Sequence, residues 1–217
     1  MAGLGYLKQR KALIATARRL DPLGINHGMS GNVSVRAGQG LLVTPTGIAY
    51  DDLAPGQIVW MTLTGEWSSG YAPSSEWRFH CSILRARPDL AAVVHTHARH
   101  ATALACHHQG IPAFHYMVAT AGGANIRCAP YATFGSEELA KRAVEALEGR
   151  RACLLANHGM IACGETLEKA LALAVEVEAL AAMYLQARQV GAPVLLDAEE
   201  MARVLAKFAT YGQQHPS

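Results

Sequence analysis

The stretch Ala91–His97, AAVVHTH, reads as a buried strand that carries two histidines. Side chains along a strand alternate between its faces, so residues i and i+2 share one. His95 and His97 therefore point the same way. Whatever fold forms must bring a partner for two adjacent imidazoles against one face of that strand. Two readings are open for the pair: core histidines bonded to backbone carbonyls, or two ligands of one metal ion. Desolvating both rings with neither metal nor carboxylate between them is costly, which favours ligation.

A catalytic zinc site takes about three protein ligands and keeps one position open, and histidine is the commonest ligand. His158, in LLANHGMIA, is the natural third candidate. It sits in another apolar stretch, and Gly159 after it allows backbone or substrate to come close. Taken alone, His158 reads more readily as a core residue. The other histidines have weaker cases; His107 and His108 follow a helix end, where they would be exposed or compensate its dipole.

The second constellation is PSSEWRFH. Glu76 stands at a helix start, where a carboxylate ordinarily complements the dipole. Beside a cation it could instead act as a general base, with a pKa tuned by charge and burial. Ser74 and Ser75, with the amides of that helix start, make a ready anion cradle. The turns Ser30-Gly31-Asn32 and Thr44–Gly47, containing Thr46, can wrap a phosphate through N–H groups, although each alone is most often only a turn. Neither GxGxxG nor GxxxxGK[ST] occurs, which argues against dinucleotide and nucleoside triphosphate sites.

Around these motifs, helical spacing is expected over 4–20 and 166–188, with further helices in SSEWRFHCSILRARPD, from Ala98 to about His107, after Ser136, and in a last segment ending near Tyr211. GNVSVR, GLLVTPTG and RACLLANHGMIACG read as strands, the last broken at His-Gly, and QIVWMTLTGEW as a hairpin. The mixture does not alternate strictly, so the expected fold is α/β, with three α/β/α layers around a mainly antiparallel central sheet, formed as a single domain over 1–217.

Charged residues make up only 17% of the chain, and 51% is apolar. A domain so poor in charge is expected to bury part of its surface against another subunit. From His100 to Ile126 there is no Asp, Glu, Lys or Arg, but Gly and Pro interrupt the run, so it reads as core or interface and not as a membrane span. The formal net charge is +2 without a basic stripe, which makes nucleic acid an unlikely partner. The five scattered cysteines suit buried thiols in a reducing cytoplasm.

In order, G-N-V-S-V-R, T-P-T-G, S-S-E-W-R-F-H, V-V-H-T-H and N-H-G before a long C-terminal helix resemble the class II aldolase/adducin family from about residue 8 to 212. IPAFHYMVATAGG, CAPYATFG and KFATYG point within it to the branch that cleaves L-fuculose 1-phosphate. The resemblance implies a zinc-dependent aldolase, one Zn2+ per chain, in a C4 homotetramer with active sites at subunit interfaces. The substrate would be a ketose 1-phosphate, L-fuculose 1-phosphate or a related 5-deoxy-pentulose 1-phosphate, split into dihydroxyacetone phosphate and an aldehyde such as L-lactaldehyde. By matching motif, His95, His97 and His158 would hold the zinc, and Glu76 would touch it at rest and act as acid/base. Gly31, Asn32, Thr46, Gly47, Ser74 and Ser75 would bind phosphate. Tyr116 would serve a neighbouring subunit's site as proton donor, and Phe134 and Tyr211 would line the aldehyde side. Two departures stand out: Thr96 lies between the strand histidines where Asn is familiar, and Asn157 precedes His158 where His is common. The same family includes pentulose-phosphate epimerases, methylthio-pentulose-phosphate dehydratases and non-catalytic adducin domains, which remain alternatives.

Overall fold

A computed structural model describes residues 5–68 and 70–209. Tyr211 lies outside the described residues. In chain order the elements are α1 (Leu7–Arg19), β1 (Asn32–Ala37), β2 (Gly40–Val43), β3 (Val59–Thr62), α2 (Trp77–Ala86), β4 (Ala92–Thr96) and α3 (Arg99–Cys106). A 3-10 segment, Tyr116–Ala121, precedes β5 (Arg127–Ala129), α4 (Glu137–Ala146), β6 (Ala152–Leu155), β7 (Gly159–Gly164), α5 (Leu167–Val190) and α6 (Ala198–Phe208). The strands form one sheet in the order β3-β2-β1-β4-β7-β6-β5.

The sheet is mixed, which refines the expected mainly antiparallel arrangement. β5 pairs with β6 in parallel, and every other pairing is antiparallel. The parallel pair follows from connectivity, since parallel strands need a crossover and α4 supplies it between β5 and β6. At three residues, β5 is too short to show an alternating pattern. RACLLANHGMIACG is two strands, β6 and β7, folded into a hairpin at His158 and paired Leu155↔Gly159.

Strand residues divide by parity between two cores. Val94, Leu42 and Leu154 pack with α1, α3 and α5; Val93, Leu41, Cys153 and Leu155 pack with α2 and α4. That division makes the three layers. Ser136 caps α4 by accepting from the Leu139 amide, and the Glu138–Arg142 pair closes at 2.6 Å. Lys141 lies 4.0 Å from Glu145, one turn further along. α5 is long and apolar enough to cross a membrane by length and composition. Its apolar side is instead spent on the sheet, with Leu171, Ala174, Val177 and Leu180 buried. Among the cysteines, Cys81, Cys153 and Cys163 are buried as expected, whereas Cys106 is exposed and Cys128 half-buried.

Candidate metal centre and active site

β4 runs between β1 and β7, with Asn32 opposite His95 on one side and Ile161 on the other. By parity His95 falls on the α2 face, where Phe79 meets its ring edge-on at 5.3 Å. His97 follows directly after the strand on the same side, as the i, i+2 spacing requires. His158 comes from the β6–β7 turn, which is opened by Asn157 at φ 52. A side-chain amide tolerates this left-handed conformation, and Asn157 Oδ1 lies 2.6 Å from His108 Nε2. Glu76 is the N-cap residue of α2, so the helix starts later than the Ser-initiated helix expected from PSSEWRFH.

These four side chains converge. Glu76 Oε2 lies 3.1 Å from His95 Nε2, and Glu76 Oε1 lies 3.2 Å from His158 Nε2. His95 Nε2 and His97 Nε2 are 3.2 Å apart. One ligand atom from each residue lies within 4.8 Å of all the others. Gly159 makes this approach possible: a Cβ there would sit 2.5 Å from Thr96 O and 2.9 Å from the His97 ring.

The donor set fits a divalent cation. His95 Nδ1 lies 2.9 Å from the Met160 carbonyl, which accepts only, so Nδ1 carries the proton and Nε2 presents a lone pair. That lone pair faces Glu76 Oε2 and His97 Nε2. Glu76 Oε1 is buried without a hydrogen bond. A proton can join only two of these atoms, whereas a cation satisfies all four at once. Burial pushes the Glu76 carboxyl pKa upward, but positive charge on the side of His95 and His158 outweighs it and holds it well below the usual carboxylate range. Burial, then His95 and His158, lowers His97 to about 4. Its ring is therefore neutral and ready to ligate at neutral pH.

Two cavities meet at Glu76. The smaller, about 70 Å³, is lined by all six candidate phosphate residues: Gly31, Asn32, Thr46, Gly47, Ser74 and Ser75. The Asn32 side chain is already engaged, however, donating to Glu76 Oε2 at 3.0 Å. The larger cavity, about 330 Å³, reaches Glu76, His97 and His158 and has Met29, Tyr131 and Phe134 at its rim. Phe134 is 66% exposed there. Tyr116 does not reach this cavity in its own chain. It lines a separate groove and stacks on Phe208 at 6.3 Å. His80 and Asn157 belong to the site's surroundings without having been candidates. A signal for His80 was present, because it stands one helical turn from Glu76.

Residues 11–185 match the family described as Class II Aldolase and Adducin N-terminal domain. The chain belongs to the class II aldolase/adducin family. Aldolases of this class are metal-dependent, in keeping with the His3Glu cluster. The 5-methylthioribulose-1-phosphate/5-deoxyribulose-1-phosphate aldolase of Rhodospirillum rubrum is 58% identical over 94% of this chain and 92% of its own. The L-fuculose phosphate aldolase of Escherichia coli K12 is 51% identical over 94% and 96%. Among solved structures, an L-fuculose 1-phosphate aldolase superposes with a TM-score of 0.92 at 38% identity, covering 96% of this chain and all of that one.

Proposed function

We propose that this chain is a zinc-dependent aldolase that reversibly cleaves a ketose 1-phosphate into dihydroxyacetone phosphate and a small aldehyde. The observation that carries the reading is Glu76 at the junction of two cavities, one a cradle of small polar residues and the other bordered by candidate metal ligands. His95, His97 and His158, with Glu76, would hold the zinc; when bound, it stabilises negative charge developing on the ketose oxygens as a Lewis acid. Ser74, Ser75, Thr46 and the turn glycines bind the 1-phosphate and so set which carbon–carbon bond lies beside Glu76. As C3–C4 breaks, the C4 hydroxyl loses its proton and becomes the aldehyde carbonyl, while the bonding electron pair stays on C3. Glu76 handles the proton at C3. Tyr116 from a neighbouring subunit handles the proton on the C4 oxygen, which accounts for its absence from its own chain's cavity and its 50% exposure. That arrangement calls for the C4 homotetramer with interface sites.

The aldehyde end meets Met29, Tyr131 and Phe134, an apolar rim. This suits a fragment ending in a methyl or methylthio group: L-fuculose 1-phosphate, or a 5-deoxy- or 5-methylthio-pentulose 1-phosphate. The names of the R. rubrum and E. coli relatives fit the same set. A coupled assay for dihydroxyacetone phosphate release across these ketose 1-phosphates tests the reading. Release from at least one, with none from the unphosphorylated sugar, is expected; epimerised or dehydrated product without dihydroxyacetone phosphate would refute it.

A further inference from the structure

Behind Glu76 lies a run of buried polar groups, two of which, Ser34 and His80, have no part in the reaction just described. Ser34 Oγ lies 2.7 Å from His80 Nδ1, and His80 Nε2 lies 2.6 Å from Asn32 Oδ1. Asn32 Nδ2 donates to Glu76 Oε2 at 3.0 Å. Ser34 and His80 are 0% exposed, Asn32 4% and Glu76 5%. The pattern is compact in sequence terms: residues i and i+2 on one face of β1 meet residues i and i+4 at the start of α2.

Every proton in the run has a determined direction. A carboxylate only accepts, so Asn32 turns its NH2 to Glu76 and its carbonyl to His80. That carbonyl also only accepts, so His80 Nε2 carries the proton. A neutral ring then presents a lone pair at Nδ1, and the Ser34 hydroxyl donates to it. Reversing any one member would set acceptor against acceptor in a buried site, where the cost of an unpaired group is high.

We propose that His80 is a positioning residue for Glu76: acting through Asn32, it anchors Oε2 and reserves Oε1 for proton exchange with substrate. Oε1 is the other carboxylate oxygen, buried with no directed hydrogen bond and with the His158 ring 3.2 Å away. Without the His80 N–H, the Asn32 amide is free to rotate and present its own oxygen to the carboxylate. The same Asn32 borders the phosphate cradle, so the anchor also ties the two cavities together. The role assigned to Glu76 rests on the aldolase reading; the anchor itself does not.

The test compares His80→Leu with His80→Gln, whose amide nitrogen can still donate to Asn32. In the metal-loaded protein, His80→Leu is expected to lower kcat by about 10–100-fold, the range for removing a group that orients a site residue. KM and metal content should stay unchanged, and His80→Gln should recover most of the loss. Independently of turnover, 15N-edited spectra of the metal-free protein should show the Asn32 side-chain N–H protected from solvent exchange. Protection should vanish in His80→Leu and persist in His80→Gln. Ser34→Ala, which leaves the ring in place, should speed that exchange and lower kcat more mildly, and it serves if His80→Leu does not fold. Unchanged kcat and exchange in Ser34→Ala or His80→Leu would overturn the proposal. So would loss of metal from His80→Leu, or equal losses in the Leu and Gln variants. Failure of the wild-type protein on every ketose 1-phosphate would instead strike the aldolase reading, while the exchange measurement still decides the anchor.

Discussion

Gly159→Ala is a single-methyl perturbation aimed at the ligand cluster from behind. The added Cβ would lie 2.5 Å from Thr96 O, 2.9 Å from His97 Cδ2 and 3.3 Å from His95 Cε1. Ordinary carbon contacts begin near 3.5 Å, so the nearest atom, a backbone oxygen, would have to retreat by about 1 Å. It cannot do so alone, because Thr96 is paired to Met160 and His95 to Ile161 in the β4–β7 ladder. The strands must separate at the end that carries His95 and His97. Overpacking of this kind costs about 1–3 kcal/mol. For a chain of this length that corresponds to a fall in Tm of about 2–12 °C, from a slope of about 2–4 °C per kcal/mol. Because two ligand rings move with the strand, metal affinity should fall by about 10–100-fold, as it does when a ligand's orienting group is lost. Thermal melts without metal, together with zinc titration against a competing chelator, measure both quantities. A Gly159→Ala protein with unchanged melting and unchanged affinity would refute the packing of β7 against the ligands.

Four other outcomes are expected. Glu76→Gln should leave the fold intact and lower turnover in the dihydroxyacetone phosphate assay by about 10²–10⁴-fold; full turnover would remove Glu76 from proton transfer. Mixing Tyr116→Phe chains with Glu76→Gln chains, each nearly inactive alone, should restore activity through hybrid sites, whereas self-contained sites would give none. Zinc at 100 times its Kd should stabilise the protein by about 2.7 kcal/mol over the metal-free form, read as a rise in Tm that a chelator reverses. Burial keeps His80 near 3 in the fold, against about 6.5 in the unfolded chain. The unfolded state therefore binds the extra proton below about pH 6.5, and metal-free stability should decline from there toward pH 3. His80→Gln should flatten part of that slope in denaturant titrations; an unaltered slope would contradict a buried neutral ring.

The convergence of the four candidate ligands was legible from spacing only in part. Strand parity alone puts His95 and His97 on one face, and the cost of desolvating two imidazoles asks for a partner there. His158 was nameable as a partner from the small Gly159 after it, which does admit the β4 backbone, and Glu76 from its place at a helix start, but only the family resemblance joined the two to the pair. Less legible was whatever depends on which elements pack together. The parallel β5–β6 pair rests on a three-residue strand whose pattern is too short to read. His80 sits among apolar neighbours, and only the packing of α2 against β1 reveals that its ring reaches Asn32. The double engagement of Asn32, with Glu76 on one side and the cradle on the other, could not be inferred from a Gly-Asn turn. Tyr116 looked like a site residue only through resemblance; in its own chain its ring lies against Phe208.

The central claim is that His95, His97, His158 and Glu76 hold one divalent ion that the cleavage of a ketose 1-phosphate requires. Stripping and reloading a single preparation, with metal content and dihydroxyacetone phosphate release followed together, tests it most directly. We expect about one zinc per chain as loaded, loss of release as the ion is removed, and recovery in proportion to the ion restored. Full release from protein with no bound metal would contradict it.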